Sequence, residues 1–233
     1  QAAVDAVSST GGGQVYLPAG TYLVENQDAD STVSNGWELD TCVEIMSSNV
    51  HLKGAGTGAT VIKKTQNTRG AHIIKIGRRS PGVPVQVSHC SVSALSIEGN
   101  IDTTSNTDNN LIDVSSGCTD ITLEDLELKN APAYGIGMQR DGFSNCLISD
   151  VVIEETGRDG IDFKMDTNAS GLGNLIRNVT VKNFGRYTTA QVPQAGIDVR
   201  CGVSVRDCYV DGTPANAVGC RVNNSADLGE TQA

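Results

Sequence analysis

The chain has 233 residues, a formal net charge of −10, 26 glycines and only 4% aromatic residues. The acidic balance excludes a nucleic-acid groove, which needs a basic face. The glycine-rich, aromatic-poor composition excludes a helical bundle, and no apolar run reaches the roughly 18 residues that a membrane span needs.

The first stretch, "QAAVDAVSSTGGG", reads as the tail of a helix over residues 1–13. Ala3, Val4 and Val7 share one face, and three glycines end it. Gln1 stands where an initiator Met would, so an upstream segment that includes any targeting signal is expected. "QVYLPAGTYLV" then reads as strand, Pro-Ala-Gly turn and strand.

Two short strand types recur from there on. The first gives "CVEIMS", "HIIKIG", "LIDVSS", "GIGMQR", "GIDFKM", "GIDVRC" and "AVGCRV". The second gives "ALSIEGN", "DLELKNA", "DVVIEETG", "NVTVKNFG" and "DCYVDGT". Aligned on Ile97, Leu128, Ile153, Val181 and Val210, the second type recurs at 31, 25, 28 and 29 residues. Such units leave no room for paired helices, and they suit an all-β parallel solenoid in which each turn of chain is one rung. About seven rungs are expected over residues 14–225, with residues 226–233 a tail or the start of a continuation. The opening helix would cap one end.

The seven cysteines, Cys42, Cys90, Cys118, Cys146, Cys201, Cys208 and Cys220, contain no C-x-x-C pair. Neither a zinc site nor a disulfide framework is expected, and buried reduced thiols are. His51, His72 and His89 do not cluster in the sequence. Trp37 and Tyr187 fall in the loop regions expected to reach over the sheet.

"GGGQVYLPAGTYLV" after an Ala/Val-rich helix, followed by "VHLKGAGTGATVIK" at residues 50–63, resembles the N-terminal signature of the pectate-lyase-like right-handed parallel β-helix superfamily. The resemblance runs loosely to Asn223. It implies a right-handed β-helix that meets polysaccharide outside the cell, at a cell surface or on a virion. The superfamily's members include polysaccharide lyases, hydrolases, mannuronan epimerases and phage tailspikes, so the resemblance specifies fold more sharply than activity. The tailspike alternative implies a non-catalytic glycan-recognising module and a homotrimer.

Strand alternation points Asp162, Lys164 and Asp166 of "GIDFKMD" outward. One outward column is expected to read Glu44, Lys75, Asp113, Gly137, Asp162, Asp198, Gly219. Its neighbour reads Met46, Gly77, Ser115, Gln139, Lys164, Arg200, Arg221. A third holds Asp166 and Asn223. Carboxylates at rung spacing repel, so Asp113, Asp162 and Asp198 are candidate ligands for a cation such as Ca²⁺. Lys164 or Arg200 would be the base or charge neutraliser beside Asp162 and Asp198 in a lyase. In a glycosidase, paired carboxylates would be acid and base. Asp113, Tyr134, Gln139, Arg140, Asp166, Arg221 and Asn223 are the candidate glycan-binding residues along the same face. The same row also reads as ordinary solvated ion pairs. Mannuronan epimerases carry a stretch like "GYGFDPHE" with the catalytic Asp, His and Glu. The matching "AYGIGMQR" keeps Tyr134 and puts Gly137, Gln139 and Arg140 at those places, which disfavours epimerisation.

Overall fold

The computed structural model describes residues 1–25, 41–65, 72–78, 84–100, 109–140, 142–164, 173–186, 194–200, 202–212, 218–223 and 231–232. Trp37, Asp166, Tyr187 and Cys201 lie outside them.

Helix α1 (Ala2–Ser9) is followed by β1 (Gly13–Tyr16), β2 (Gly20–Val24), β3 (Thr41–Ile45), β4 (Val50–Lys53), β5 (Thr60–Lys64) and β6 (His72–Ile76). Next come β7 (Ser88–Glu98), β8 (Ile112–Val114), β9 (Thr119–Ala131), β10 (Ile136–Gln139), β11 (Leu147–Thr156) and β12 (Ile161–Lys164). The chain continues through β13 (Asn174–Lys182), β14 (Ala195–Arg200), β15 (Val203–Arg206), β16 (Tyr209–Asp211), β17 (Val218–Asn223) and β18 (Thr231–Gln232).

The strands form two sheets. The ten-stranded sheet contains β1-β4-β7-β9-β11-β13-β15, with β2, β5 and β16 continuing its bent flank. The eight-stranded sheet runs β3-β6-β8-β10-β12-β14-β17-β18, parallel except for the last pair. Every parallel partner comes from a neighbouring turn of chain, which makes the molecule a parallel β-helix, right-handed as crossovers between parallel strands of one sheet are. Val4 and Val7 of α1 pack on the core at one end, as a cap requires.

Apolar residues stack into continuous columns. Val43, Ile74, Ile112, Ile136, Ile161 and Ile197 pair rung to rung in the eight-stranded sheet. Ile62, Ile97, Leu128, Ile153, Val181 and Val210 do the same opposite, in the register expected for the last five. Each fully buried branched side chain contributes on the order of 2 kcal/mol by leaving water.

The long strands bend at left-handed residues. Ala94, Asp125, Asp150 and Asn178 sit at φ 55°, 51°, 57° and 49°, one per rung, and Asp207 at 55° separates β15 from β16. Asn and Asp adopt this conformation more cheaply than other L-residues, which explains the recurring Asp or Asn at the head of the second strand type. Asn178 Nδ2 also donates to Asp150 Oδ1 across rungs at 2.6 Å.

On the outside of the ten-stranded sheet, Lys63, Glu98, Lys129, Glu154, Lys182 and Asp211 lie in one line with alternating sign. Lys63 Nζ is 2.8 Å from Glu98, and Lys182 Nζ is 3.5 Å from Glu154.

The described cysteines are all free thiols, and Cys42, Cys90, Cys118 and Cys146 are buried. Burial pushes the thiols of Cys42, Cys118 and Cys146 up to about 11, so they are inert packing groups.

Candidate functional site

The outward column of the eight-stranded sheet holds Glu44, Lys75, Asp113, Gly137, Asp162 and Asp198 as expected. Its final member differs. Arg221, not Gly219, pairs with Asp198, and Asn223 pairs with Arg200. The register is two residues off the sequence expectation, and Asn223 leaves the column it was expected to share with Asp166.

Glycine sets this register. A Cβ on Gly135 would meet the Gly160 carbonyl oxygen at 2.7 Å, one on Gly160 would meet that of Gly196 at 2.6 Å, and one on Gly196 that of Gly219 at 2.8 Å. The four glycines stack, backbone against backbone. Gly219 therefore aligns with Gly196, and Arg221 arrives opposite Asp198.

A second correction concerns exposure. Asp162 and Asp198 were expected to face water, yet both are 0% exposed. Alternation assigned the face correctly but not what lies over it. Gln139 Nε2 donates to Asp162 Oδ2 from one rung below. Arg221 Nη1 donates to Asp198 Oδ2 at 3.0 Å from one rung above. Lys164 folds back from its own strand, its Nζ 2.6 Å from Asp162 Oδ1 and 3.3 Å from Asp198 Oδ2. Arg200 Nη2 lies 3.8 Å from Asp198 Oδ2.

The residue missed by sequence reasoning is Asp159. It sits at the corner before Gly160, outside the alternating strand, and is 3% exposed. Its Oδ1 accepts the Ala195 N–H at 2.5 Å, and its Oδ2 is 3.9 Å from Lys164 Nζ. Burial first, then the charge of Asp162, lifts its carboxyl from 3.8 to about 7. Burial likewise raises Asp162, against the pull of Lys164. Asp159, Asp162 and Asp198 each offer an oxygen within 4.8 Å of the others, close enough to share a cation.

Asp113 does not join this cluster, because the Gly137 strand separates it from Asp162. It accepts from Asn110 Nδ2 at 2.9 Å and faces His72 Nε2 at 4.0 Å. The third carboxylate beside Asp162 and Asp198 is Asp159, not the expected Asp113. His72 is buried. The Asn110 N–H donates to its Nδ1 at 3.0 Å, and burial lowers its pKa to about 4 despite Asp113.

Tyr134 precedes Gly135 at the same corner as Asp159 precedes Gly160. Arg158 Nη1 donates to its hydroxyl at 3.3 Å, and its guanidinium carbon lies 5.7 Å from the ring centroid. Lys164 Nζ lies 5.9 Å from that centroid. Burial raises the phenol pKa, with Asp162 adding to the rise and Lys164 opposing it. The result is a cationic pair, Arg158 and Lys164, beside one phenol, with Arg200 and Arg221 on Asp198 in the following rungs and three buried carboxylates beneath. Arg140 is tied in by its backbone, its N–H donating to the Lys164 carbonyl at 2.8 Å.

A right-handed β-helix with charged side chains along one outward sheet fits the pectate-lyase-like class of protein. The chain belongs to the family described as rhamnogalacturonase A/epimerase, pectate lyase-like, whose model matches residues 1–213. It is 36% identical over 188 residues to the mannuronan C5-epimerase AlgE2 of Azotobacter vinelandii, covering 78% of this chain and 17% of that protein. It is 31% identical over 194 residues to alginate lyase 7 of the same organism, covering 80% and 20%. The chain thus spans about a fifth of these relatives. Among solved structures, a rhamnogalacturonan lyase superposes with a TM-score of 0.59 at 14% identity, covering 91% of this chain and 53% of that one. That likeness concerns the fold.

Proposed function

We propose that the chain carries the glycan-handling face of an extracellular polysaccharide-active enzyme, and that it cleaves a polyuronate by β-elimination. The observation that carries this reading is the Tyr134 phenol, with the Arg158 guanidinium on its hydroxyl and the Lys164 ammonium beside its ring. Two curated relatives named for mannuronan epimerisation and alginate lysis support a polyuronate substrate.

Elimination needs a cation on the uronate carboxylate, a base for the C5 proton and an acid for the departing O4. On this reading Arg158, which holds the Tyr134 hydroxyl, and Arg200, 39% exposed, would meet the carboxylate. The Tyr134 phenolate would take the C5 proton. The C5–H electrons form the C4=C5 double bond, the C4–O4 bond breaks, and the phenol returns the proton to O4. Lys164 is not the base. Burial works to lower its pKa, but the charges of Asp162, Tyr134 and Asp198 outweigh this and keep it protonated. Arg200 cannot serve as a base either, since guanidinium stays charged. With Gly137, Gln139 and Arg140 at the epimerase-motif positions, elimination fits better than epimerisation.

A second reading, glycoside hydrolysis, draws on Asp159, which burial and Asp162 lift to about 7 as a general acid requires. The carboxylate oxygens within 4.8 Å are tighter than the roughly 6.5–9.5 Å that an inverting water needs.

Incubation with alginate, polygalacturonate and a neutral glucan, read by ultraviolet absorbance and by reducing ends, tests these readings. Absorbing unsaturated ends from a polyuronate, lost in Tyr134→Phe, are expected. Because burial raises the phenol pKa, turnover should climb on the alkaline side. Reducing ends without absorbance would make the enzyme a hydrolase. Altered uronates without new ends would restore the epimerase reading. Binding without any product would make it a recognition module.

A further inference from the structure

We infer that Lys164 is the resident cation of the Asp159–Asp162–Asp198 cluster and holds the place a divalent metal ion would take. Its Nζ lies 2.6, 3.3 and 3.9 Å from oxygens of Asp162, Asp198 and Asp159. An ammonium has three protons, and three carboxylates surround it. Each carboxylate has a further donor, from Gln139, Arg221 or the Ala195 N–H. Among the described residues, Asp198 Oδ1 and Asp162 Oδ1 make no hydrogen bond, and Asp162 Oδ1 already faces Lys164 Nζ.

That donor set does not fit Ca²⁺, which takes six to eight oxygens. One carboxylate oxygen stands open, and the centre is filled. Charge leads to the same conclusion. Even with Asp159 ionised, the three carboxylates are matched by three cations, Lys164, Arg221 and Arg200, all within 4.0 Å of a carboxylate oxygen. A divalent ion would leave the buried group with uncompensated positive charge, or would have to expel the lysine. The cluster is metal-like in its acids and metal-free in its design. Lys164 lies on the same strand as Asp162 and opposite Arg200. The cation is therefore encoded in the rung itself, and no metal supply is needed to hold the two rungs together.

The test uses Ca²⁺ and Mn²⁺ alone, with thermal unfolding and calorimetric titration and without glycan, apart from the polyuronate chemistry above. The wild-type chain should show no shift with either ion or with chelator. Lys164→Met should unfold at least about 5 °C earlier without metal, and millimolar Ca²⁺ or Mn²⁺ should restore part of that loss. Adding Asp198→Asn to Lys164→Met should abolish the rescue. Should Lys164→Met fail to fold, Lys164→Met with Asp162→Asn removes one charge of each sign and should fold. Wild-type stabilisation by either ion that Asp198→Asn removes would overturn the inference. So would a Lys164→Met chain as stable as wild type and indifferent to metal.

Discussion

Arg221 lies opposite Asp198 across β14 and β17, and its Nη1 donates to Asp198 Oδ2 at 3.0 Å. Asp198 is fully buried and the Arg221 side chain is 12% exposed, so the pair lies in a weakly screened environment. Arg221→Met should cost about 3 kcal/mol in denaturant unfolding, because it leaves a buried carboxylate short of one partner. Arg221→Met with Asp198→Asn should cost clearly less. Equal losses in the single and double variants would show that the packing of the arginine stem, not its charge, matters.

The glycine stack gives a matched pair of substitutions. A Cβ on Gly160 would meet Val181 Cγ1 at 2.5 Å and the Gly196 oxygen at 2.6 Å, whereas one on Gly219 meets nothing within 4 Å. Gly160→Ala should therefore destabilise by about 2–3 kcal/mol, as overpacking does. Gly219→Ala should stay within about 0.5 kcal/mol. Chemical denaturation of both variants decides it, and equal effects would refute the backbone-contact account of the register.

Two buried groups give opposed pH dependences. Asp159 has its folded pKa raised from 3.8 to about 7, so the folded chain holds a proton that the unfolded chain has released. Its contribution is fully present below pH 3.8 and is lost as pH rises towards 7. His72 has its folded pKa lowered from 6.5 to about 4, so its contribution is present above 6.5 and is lost as pH falls towards 4. Asp159→Asn keeps an oxygen for the Ala195 N–H and removes the first slope. The variant should gain a few kcal/mol over wild type above about pH 7 and nothing near pH 4. Stability measured across that window should also fall more steeply towards acid in the variant, since the Asp159 slope that opposes the His72 slope is gone.

On the opposite sheet, Lys129 Nζ is 2.6 Å from Glu127 and 4.0 Å from Glu154 and is well exposed. Lys129→Ala should cost less than about 1 kcal/mol, as exposed pairs do. Lys129→Glu sets like charges side by side and should cost more. Both effects should shrink in high salt, and a loss unchanged by salt would point to packing instead.

The alternating residues make the solenoid legible in the sequence alone. Ile97, Leu128, Ile153, Val181 and Val210 stack as their spacing implied, because apolar side chains repeat every second residue whatever the corner lengths. The corners were harder. Asp159 stands outside the alternation, and its partner Lys164 is brought near by the turn at Gly160. The repeat pattern of "AVGCRV" sets Arg221 beside Arg200, whereas the close approach of Gly196 to Gly219 brings it opposite Asp198. Alternation also told which face Asp162 and Asp198 take, but not that Gln139, Lys164 and Arg221 close over them. Covering depends on side chains from three rungs, which no single strand reveals.

The line of Lys63, Glu98, Lys129, Glu154, Lys182 and Asp211 acts as a parity code. Deleting or duplicating a single turn of chain would bring two like charges together at the junction. Removing or adding two turns would restore the alternation. A lineage built on this line is expected to lengthen and shorten in even steps, and a slip by one turn during folding is penalised by the same rule.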